Sequence, residues 1–170
     1  MNKYLVIGNP IAHSLSPLLH NYWFKKYRFL DSIYEKKKVE KKDLKKIVEQ
    51  IKNDEVKGVN VTVPFKREIF NFIDTAPYEV QFTKSVNTLV KENDKVVGYN
   101  TDQQGFEISL EENDWDCKDK KILIIGAGGV TPSILSTLIK VDGAEKIYLS
   151  NRTRSKAEEL KKFWDKALGI

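Results

Sequence analysis

The segment GVNVTVPFK, at residues 58–66, places a hydroxyl group and an amine near the end of a predicted strand. Its valines alternate with small polar residues, as in a half-buried strand, and Pro64 ends that strand. Thr62 precedes the proline and Lys66 follows it. Open α/β sheets bind ligands at the carboxyl ends of their strands, so we expect both side chains to face a ligand.

Four polar clusters stand where a predicted strand ends or a predicted helix begins. They are HSLSP (13–17), NVTVPFK (60–66), SVNT (85–88) and GYNTD (98–102). Their neutral hydrogen-bonding side chains belong to Ser14, Ser16, Thr62, Asn87 and Thr101. Such groups suit a polyhydroxylated ligand, because each hydroxyl that loses water needs new donors and acceptors.

Lys66 and Asp102 add one positive and one negative charge to these clusters. Placed together they would form a proton-transfer pair or an orienting ion pair. Taken one at a time, such residues also have structural interpretations. Lys66 would then be solvated, Ser16 and Asp102 would cap helices, His13 would be a structural hydrogen bonder and His20 would lie on a helix surface. Four clusters at matching positions favour a binding site.

A second site is indicated by IGAGGVT, which follows a continuous apolar strand and opens a helix. Gly126, Gly128 and Gly129 permit a tight turn and a close approach of pyrophosphate to the backbone. The third position of the G-x-G-x-x-G pattern is Thr131, which departs from glycine or alanine. The alternative is an ordinary glycine-rich turn between a strand and a helix.

The next predicted strand ends at SNRTRSK, which contains no acidic residue. NAD-preferring sites use a carboxylate at this point to bind the ribose 2′-hydroxyl. Arg152 and Arg154 would instead bind a 2′-phosphate, so we expect NADP over NAD. The alternative is that Thr153 or Ser155 only caps the next helix while the arginines are solvated.

The coarse element pattern alternates strands and helices, which predicts an α/β protein with a mostly parallel sheet. We expect an apolar helix face at Leu18, Leu19, Tyr22 and Trp23 after an N-cap at Ser16, and a helix that begins at Pro64. An amphipathic helix should bury Leu44, Ile47, Val48 and Ile51, and a hairpin should turn at ENDK. The predicted domains are a three-layer substrate domain, 1–103, and the first half of a Rossmann-type domain, 104–170.

Composition excludes several classes of protein. Hydrophobic residues make up 41% and charged residues 31% of the chain, and no apolar run approaches the length of a membrane span. One cysteine and two histidines leave little for a disulfide or a transition metal, so we expect a cytoplasmic protein without a metal. The net charge of +5 comes largely from a solvated lysine-rich helix face, so we expect no nucleic-acid partner.

The motifs GNPIAHSLSP, GVNVTVPFK, SVNTL, GYNTD, GAGG and NRT, in this order, resemble the shikimate dehydrogenase family. The resemblance implies NADPH-dependent reduction of 3-dehydroshikimate to shikimate, in the pathway to chorismate and the aromatic amino acids. It implies that Ser14 and Ser16 bind the substrate carboxylate, that Thr62, Asn87 and Asp102 hold ring hydroxyls, and that Lys66 and Asp102 are catalytic. The NADP site would comprise Gly126, Ala127, Gly128, Gly129, Asn151, Arg152 and Thr153, with Arg154 and Lys156 as further candidates for the 2′-phosphate.

By this resemblance, we expect the chain to be shorter than members of the family and to lack the second half of the nucleotide domain. We therefore expect weak or no dehydrogenase activity from this chain alone. Two other functions stay open: a quinate/shikimate dehydrogenase that uses NAD, and a non-catalytic shikimate-binding module. We expect a small-molecule substrate, no membrane partner, and a monomer or homodimer.

Overall fold

A computed structural model of the protein describes residues 1–140 and 143–169, and it contains two compact units. The first unit comprises Met1–Asn100 and the second begins at Thr101. The unit boundary thus lies three residues before the predicted one at residue 103. The roles assigned to the two domains stay predictions at this point.

The first unit is built on a five-stranded sheet in the order β2-β1-β3-β4-β5. Its strands are β1 (Asn2–Gly8), β2 (Ser32–Lys38), β3 (Gly58–Val61), β4 (Thr88–Glu92) and β5 (Lys95–Tyr99). Its helices are α1 (Ser16–Lys26), α2 (Leu44–Lys52) and α3 (Tyr78–Thr83), with 3₁₀ turns at Lys41–Asp43 and Ile69–Asn71. The predicted α/β class is therefore confirmed.

Strand direction decides which loops share an edge of this sheet. β1 pairs in parallel with both β2 and β3, whereas β4 is antiparallel to β3 and to β5. Four strands consequently point the same way and only β4 runs against them. The carboxyl ends of β1, β2, β3 and β5 therefore share one edge with the start of β4.

The amphipathic helix α2 covers one face of the sheet. Its residues Leu44, Ile47, Val48 and Ile51 are all buried, as the sequence predicts, and they join a core that includes Leu5, Ile7, Val59 and Leu89. Each fully buried side chain of this size contributes about 1.5–3 kcal/mol relative to exposure. This packing holds the strands whose ends carry the polar clusters.

Helix α1 differs from its sequence-based prediction. Its apolar residues Leu18, Leu19, Tyr22 and Trp23 are exposed, and the helix has no buried residue. The helix contacts the sheet through other side chains: His20 stacks on Tyr34, with ring centroids 4.1 Å apart, and the Asn21 carboxamide bonds both the N–H and the C=O of Tyr34. Asn21 therefore occupies backbone groups of the edge strand β2 that no neighbouring strand pairs.

Two further local predictions were wrong. Leu15, not Ser16, is the N-cap of α1, and Ser16 is the first helical residue, with Pro17 in the first turn. The segment after Pro64 forms turns and a single 3₁₀ turn at Ile69–Asn71 rather than a helix. The Lys66 carbonyl accepts its hydrogen bond from Val86 N–H at 2.8 Å, so it does not serve a helical i→i+4 bond.

The described residues of the second unit form a two-stranded parallel sheet and three helices. The strands are β6 (Lys121–Ile125) and β7 (Lys146–Ser150), and the helices are α4 (Asp102–Glu112), α5 (Thr131–Lys140) and α6 (Arg154–Leu168). Helix α5 follows β6 directly after the glycine turn, as predicted for a dinucleotide-binding half. Among the described residues, no helix is both long and apolar enough to cross a membrane.

Candidate active site

Backbone hydrogen bonds tie the loops at the carboxyl edge of the first sheet to one another. Asn9 N–H donates to the Val63 carbonyl at 3.0 Å, which joins the loop after β1 to the loop after β3. Val86 N–H donates to the Lys66 carbonyl, and Asn87 N–H donates to the Tyr99 carbonyl at 2.9 Å. The clusters NVTVPFK and SVNT and the first part of GYNTD therefore meet at one edge, and Asn9 joins the loop that leads to HSLSP to the same edge.

Thr62 is held at this edge by an unusually close approach of two strands. Its N–H donates to the Ile7 carbonyl at 2.9 Å. A Cβ atom on Gly8 would lie 2.6 Å from the Thr62 methyl carbon and 3.0 Å from the Val63 carbonyl oxygen. Only glycine fits at position 8, and the fit fixes the half-buried Thr62 side chain beside the end of β1.

Ser14 and Ser16 lie in the turn that leads from β1 into α1. Ser14 N–H donates to the Ile11 carbonyl at 3.1 Å, and the Ser14 hydroxyl oxygen lies 3.4 Å from Ser16 N–H. Both side chains are half-buried. Two hydroxyls at the start of a helix, where backbone N–H groups point outward, form a suitable environment for an anion such as a carboxylate.

Asn87 is the most buried of the predicted substrate residues, at 9% exposure. Its backbone carbonyl accepts from Val61 N–H at 2.8 Å, so β3 fixes its position. Its side-chain oxygen accepts a hydrogen bond from the Thr88 hydroxyl at 3.0 Å. A buried carboxamide with hydrogen-bonded partners presents one defined orientation.

Lys66 and Asp102 lie in different compact units. Lys66 is half-buried in the turn after β3. Asp102 is the first residue of α4 in the second unit and follows the end of β5 by three positions in the sequence. The pairing of these two side chains stays a prediction.

The glycine turn of the second unit has the features that a dinucleotide needs. Gly126 has a φ of +128°, which L-residues rarely adopt, and a Cβ on Gly126 or Gly128 would meet nothing within 4 Å. Open space above these glycines allows a phosphate to approach the backbone. The residues present therefore fit a pyrophosphate group.

Thr131 and Asn151 brace this turn from within. The Thr131 hydroxyl accepts from Gly128 N–H at 3.0 Å and lies 3.3 Å from the Gly126 carbonyl oxygen. Asn151 accepts from Ala127 N–H at 3.1 Å and donates to the Thr153 carbonyl at 2.7 Å. Thr131, which replaces the glycine or alanine of the G-x-G-x-x-G pattern, thus stabilises the turn. Asn151 links the turn to the end of β7.

The basic residues after β7 are not equivalent. Arg154 is ion-paired with Glu158 of its own helix at 2.8 Å. Arg152 and Lys156 are exposed, and the described part of the chain records no ion pair for either of them. Thr153 is the N-cap of α6, without a side-chain capping bond. Arg152 and Lys156 are therefore better placed than Arg154 to meet an added phosphate.

Sequence reasoning missed Tyr34 and gave no individual role to Asn60 and Thr88, which lie in two of the predicted clusters. The Tyr34 hydroxyl donates to the Asn60 side-chain oxygen at 2.5 Å, and the Asn60 nitrogen donates to Thr88 Oγ1 at 3.0 Å. Burial raises the pKa of Tyr34 to about 12, and burial also lowers the pKa of the stacked His20. The polar Asn60 in an otherwise apolar strand was the available signal.

An α/β unit with polar groups at one sheet edge, followed by a strand–glycine turn–helix unit, defines a dinucleotide-dependent class of enzyme fold. The family model for the shikimate dehydrogenase substrate-binding domain matches residues 6–89. The model for shikimate / quinate 5-dehydrogenase matches residues 107–168. The chain belongs to the shikimate dehydrogenase family, which confirms the prediction from its motifs.

Individual relatives agree with this assignment. The shikimate dehydrogenase (NADP⁺) of Pelagibacter ubique is 50% identical over 94% of this chain and 59% of its own length. The crystal structure of shikimate dehydrogenase from Aquifex aeolicus is 41% identical, with a TM-score of 0.86 over 96% of this chain and 60% of that one. The Thermus thermophilus enzyme in complex with NADP(H) and shikimate is 29% identical, with a TM-score of 0.82 over 96% of this chain and 60% of that one. The chain thus spans about three fifths of the length of these relatives.

Proposed function

We propose that this chain carries the shikimate site and the phosphate-binding turn of an NADP-dependent shikimate dehydrogenase, an oxidoreductase that converts 3-dehydroshikimate to shikimate. The observation that carries the proposal is that the loops with Thr62, Lys66 and Asn87 are hydrogen-bonded together at one edge of the sheet, and that Asn9 joins them to the loop that leads to Ser14 and Ser16. The names of the relatives support both the substrate and the cofactor.

The chemistry follows from the residue types. The bound cofactor would supply a hydride to the ketone carbon of 3-dehydroshikimate. Negative charge then develops on the ketone oxygen, and the Lys66 ammonium stabilises that charge and donates the proton that completes the alcohol. Asp102 orients Lys66 and a ring hydroxyl, while Thr62 and Asn87 bind the remaining hydroxyls. Ser14 and Ser16 hold the carboxylate at the start of α1.

The test is a calorimetric titration of the folded chain with shikimate, followed by NADPH. Lys66→Met should weaken shikimate binding about tenfold or more, because a charged donor to a hydroxyl contributes about 1.5–3 kcal/mol. Lys46→Met on the exposed face of α2 is the matched control, since it removes the same charge away from this edge. Shikimate affinity that is the same in wild type and Lys66→Met would contradict the proposed site.

Substrate and cofactor choice are tested with the same protein. Quinate is the competing ligand, because the second matching family model includes quinate dehydrogenases. Binding of quinate in preference to shikimate would favour the alternative dehydrogenase. Tighter binding of NADH than of NADPH would contradict the proposed cofactor.

We further propose a cytoplasmic monomer or homodimer that acts on a small molecule. The single cysteine, Cys117, cannot form an internal disulfide, which suits a reducing compartment. Light scattering on the purified chain measures its oligomeric state, and a larger assembly would contradict this proposal.

A further inference from the structure

Helix α1 is joined to the edge strand β2 through the carboxamide of Asn21. Its Nδ2 group donates to the Tyr34 carbonyl at 2.8 Å, and its Oδ1 atom accepts from Tyr34 N–H at 2.9 Å. Both directions are determined, because a backbone N–H can only donate and a backbone carbonyl can only accept. The side chain thus takes the place of a neighbouring strand at this one residue of β2.

Lys36 makes a contact in the opposite sense, from β2 to the loop that follows β1. Its ammonium group donates to the Ala12 carbonyl at 2.5 Å, and it stands two positions after Tyr34. Residues two apart in a strand face the same side of the sheet, so Lys36 lies on the side where Tyr34 meets α1. Ser14, Asn21 and Lys36 accordingly line one open cavity between α1 and β2.

These two contacts lie on either side of the turn that carries Ser14 and Ser16. One is two positions before Ser14, and the other is five positions after Ser16. Apolar packing near Tyr34 comes from the buried Ile11 and the half-buried Phe24, but α1 itself has no buried residue. The polar contacts with β2 therefore have a large share in fixing where the two serine hydroxyls lie.

We propose that Asn21 and Lys36 are positioning residues for the carboxylate end of the substrate, because they hold the Ser14–Ser16 turn against β2 from both sides. Neither side chain needs to touch the ligand. Each acts through the serine hydroxyls, whose hydrogen bonds to a carboxylate depend on distance and angle. This inference rests on the proposed shikimate site, and it adds to that site the residues that place its anion-binding turn.

The decisive variant is Asn21→Leu, which keeps a side chain branched at the same atom and removes both hydrogen bonds. Shikimate affinity in calorimetry should fall about three- to tenfold, since the serines lose their fixed geometry. Asn53→Leu is the control, because Asn53 is exposed at the end of α2 and the described structure records no hydrogen bond for its side chain. Lys36→Met should weaken binding in the same direction, and Lys36→Arg, which keeps a donor, should restore affinity to within about twofold of wild type.

A double-mutant cycle separates positioning from a general loss of stability. In a Ser14→Ala/Ser16→Ala background the hydroxyls are gone, so Asn21→Leu should change shikimate affinity by less than about twofold. NMR titration measures these weaker affinities. An equal loss in both backgrounds would mean that Asn21 does not act through the serines and would overturn the inference. For Lys36→Met, an equal loss would mean that the ammonium acts by its charge on the ligand, which would overturn its positioning role.

A readout without substrate separates this inference from the proposed function. Ser14 N–H is bonded to the Ile11 carbonyl, so its hydrogen exchange in the ligand-free chain reports the order of the turn. Asn21→Leu should speed this exchange about threefold or more, while the N–H of Val61 in β3 keeps its rate.

The combined outcomes decide between the two proposals. The inference is wrong if Asn21→Leu leaves Ser14 exchange or shikimate affinity unchanged, or if it speeds exchange at Val61 equally. If wild type fails to bind shikimate but Ser14 exchange still rises in Asn21→Leu, the proposed substrate is wrong and the role of Asn21 in holding the turn stands.

Discussion

The Thr131 hydroxyl accepts a hydrogen bond from Gly128 N–H at 3.0 Å, within the turn that should receive the pyrophosphate. Asn151 accepts from the neighbouring Ala127 N–H in the same way. In the ligand-free turn these two backbone donors are therefore satisfied by side chains. A phosphate that needs them must exchange with an internal acceptor, and the cost of that exchange lowers affinity.

Thr131→Val should lower the stability of the protein but tighten the binding of NADP. The substitution keeps the shape of a side chain that is only 3% exposed and removes its hydroxyl. We expect a loss of about 1 kcal/mol in the free energy of unfolding and NADP binding that is tighter by about two- to fivefold. Urea unfolding and calorimetry measure the two quantities. Thr131→Ser keeps the hydroxyl and serves as the control. Weaker NADP binding in Thr131→Val would mean that the hydroxyl helps to pre-form the turn.

Arg152 and Arg154 should contribute differently to the 2′-phosphate site. Arg154 is already paired with Glu158, whereas Arg152 is exposed beside the end of β7. Arg152→Ala should weaken NADP binding about tenfold and leave NAD binding within about twofold, because a charged contact to phosphate is lost. Arg154→Ala is the matched comparison and should have the smaller effect. Equal losses for NADP and NAD would place Arg152 away from the 2′-phosphate.

Asp74 should stabilise the first unit at neutral pH, and this contribution should be lost in acid. Its carboxylate accepts from the Lys52 ammonium and from Val96 N–H, each at 2.8 Å, and the Lys52 hydrogen bond is the largest cause of its lowered pKa. The pKa of Asp74 in the folded state lies below its unfolded-state value near 4. The stabilisation is therefore complete above the unfolded-state pKa, and it is lost as pH falls through the folded-state pKa.

Asp74→Asn measures this contribution. The variant keeps an acceptor for Val96 N–H and loses the charge, so the free energy of unfolding should fall by about 1 kcal/mol at pH 7. Its difference from wild type should shrink as pH falls below the unfolded-state pKa of the aspartate. Urea unfolding as a function of pH, with Asp31→Asn at an exposed site as the control, tests both points. A difference that is independent of pH would contradict the assignment.

Substitution by alanine should have opposite effects on stability at Gly8 and at Gly105. Gly8→Ala places a methyl group 2.6 Å from the Thr62 methyl carbon and 3.0 Å from a backbone oxygen, which should destabilise the first unit by about 1–3 kcal/mol. It should also weaken shikimate binding by displacing Thr62. Gly105 lies within α4, and a methyl group added there would meet no atom within 4 Å, so Gly105→Ala should stabilise the chain by about 0.5–1 kcal/mol. Thermal unfolding measures the stability of both variants. If Gly8→Ala folds stably and binds shikimate as wild type does, the contact between position 8 and Thr62 does not fix the Thr62 side chain.

Local pattern predicted elements well where one face had to be buried. The period of Leu44, Ile47 and Ile51 defined α2, and the polar turn ENDK defined the β4–β5 hairpin, whose Asn93 and Asp94 both have positive φ. The sequence pattern gave wrong predictions for the buried face of α1 and for a helix after Pro64. The apolar residues of α1 are exposed because the helix is docked through His20 and Asn21, and the segment after Pro64 is not helical because Val86 takes the carbonyl bond of Lys66.

The sequence by itself determined that polar groups follow several strands, because glycine, proline and the alternation of valines mark strand ends through short-range sterics. Only the tertiary structure decided how those groups are connected. Tyr34 and Asn60 are 26 residues apart, and their hydrogen bond exists because β2, β1 and β3 pair in one particular register. That register is set by the joint burial of several strands against α2, and no local stretch of sequence encodes it.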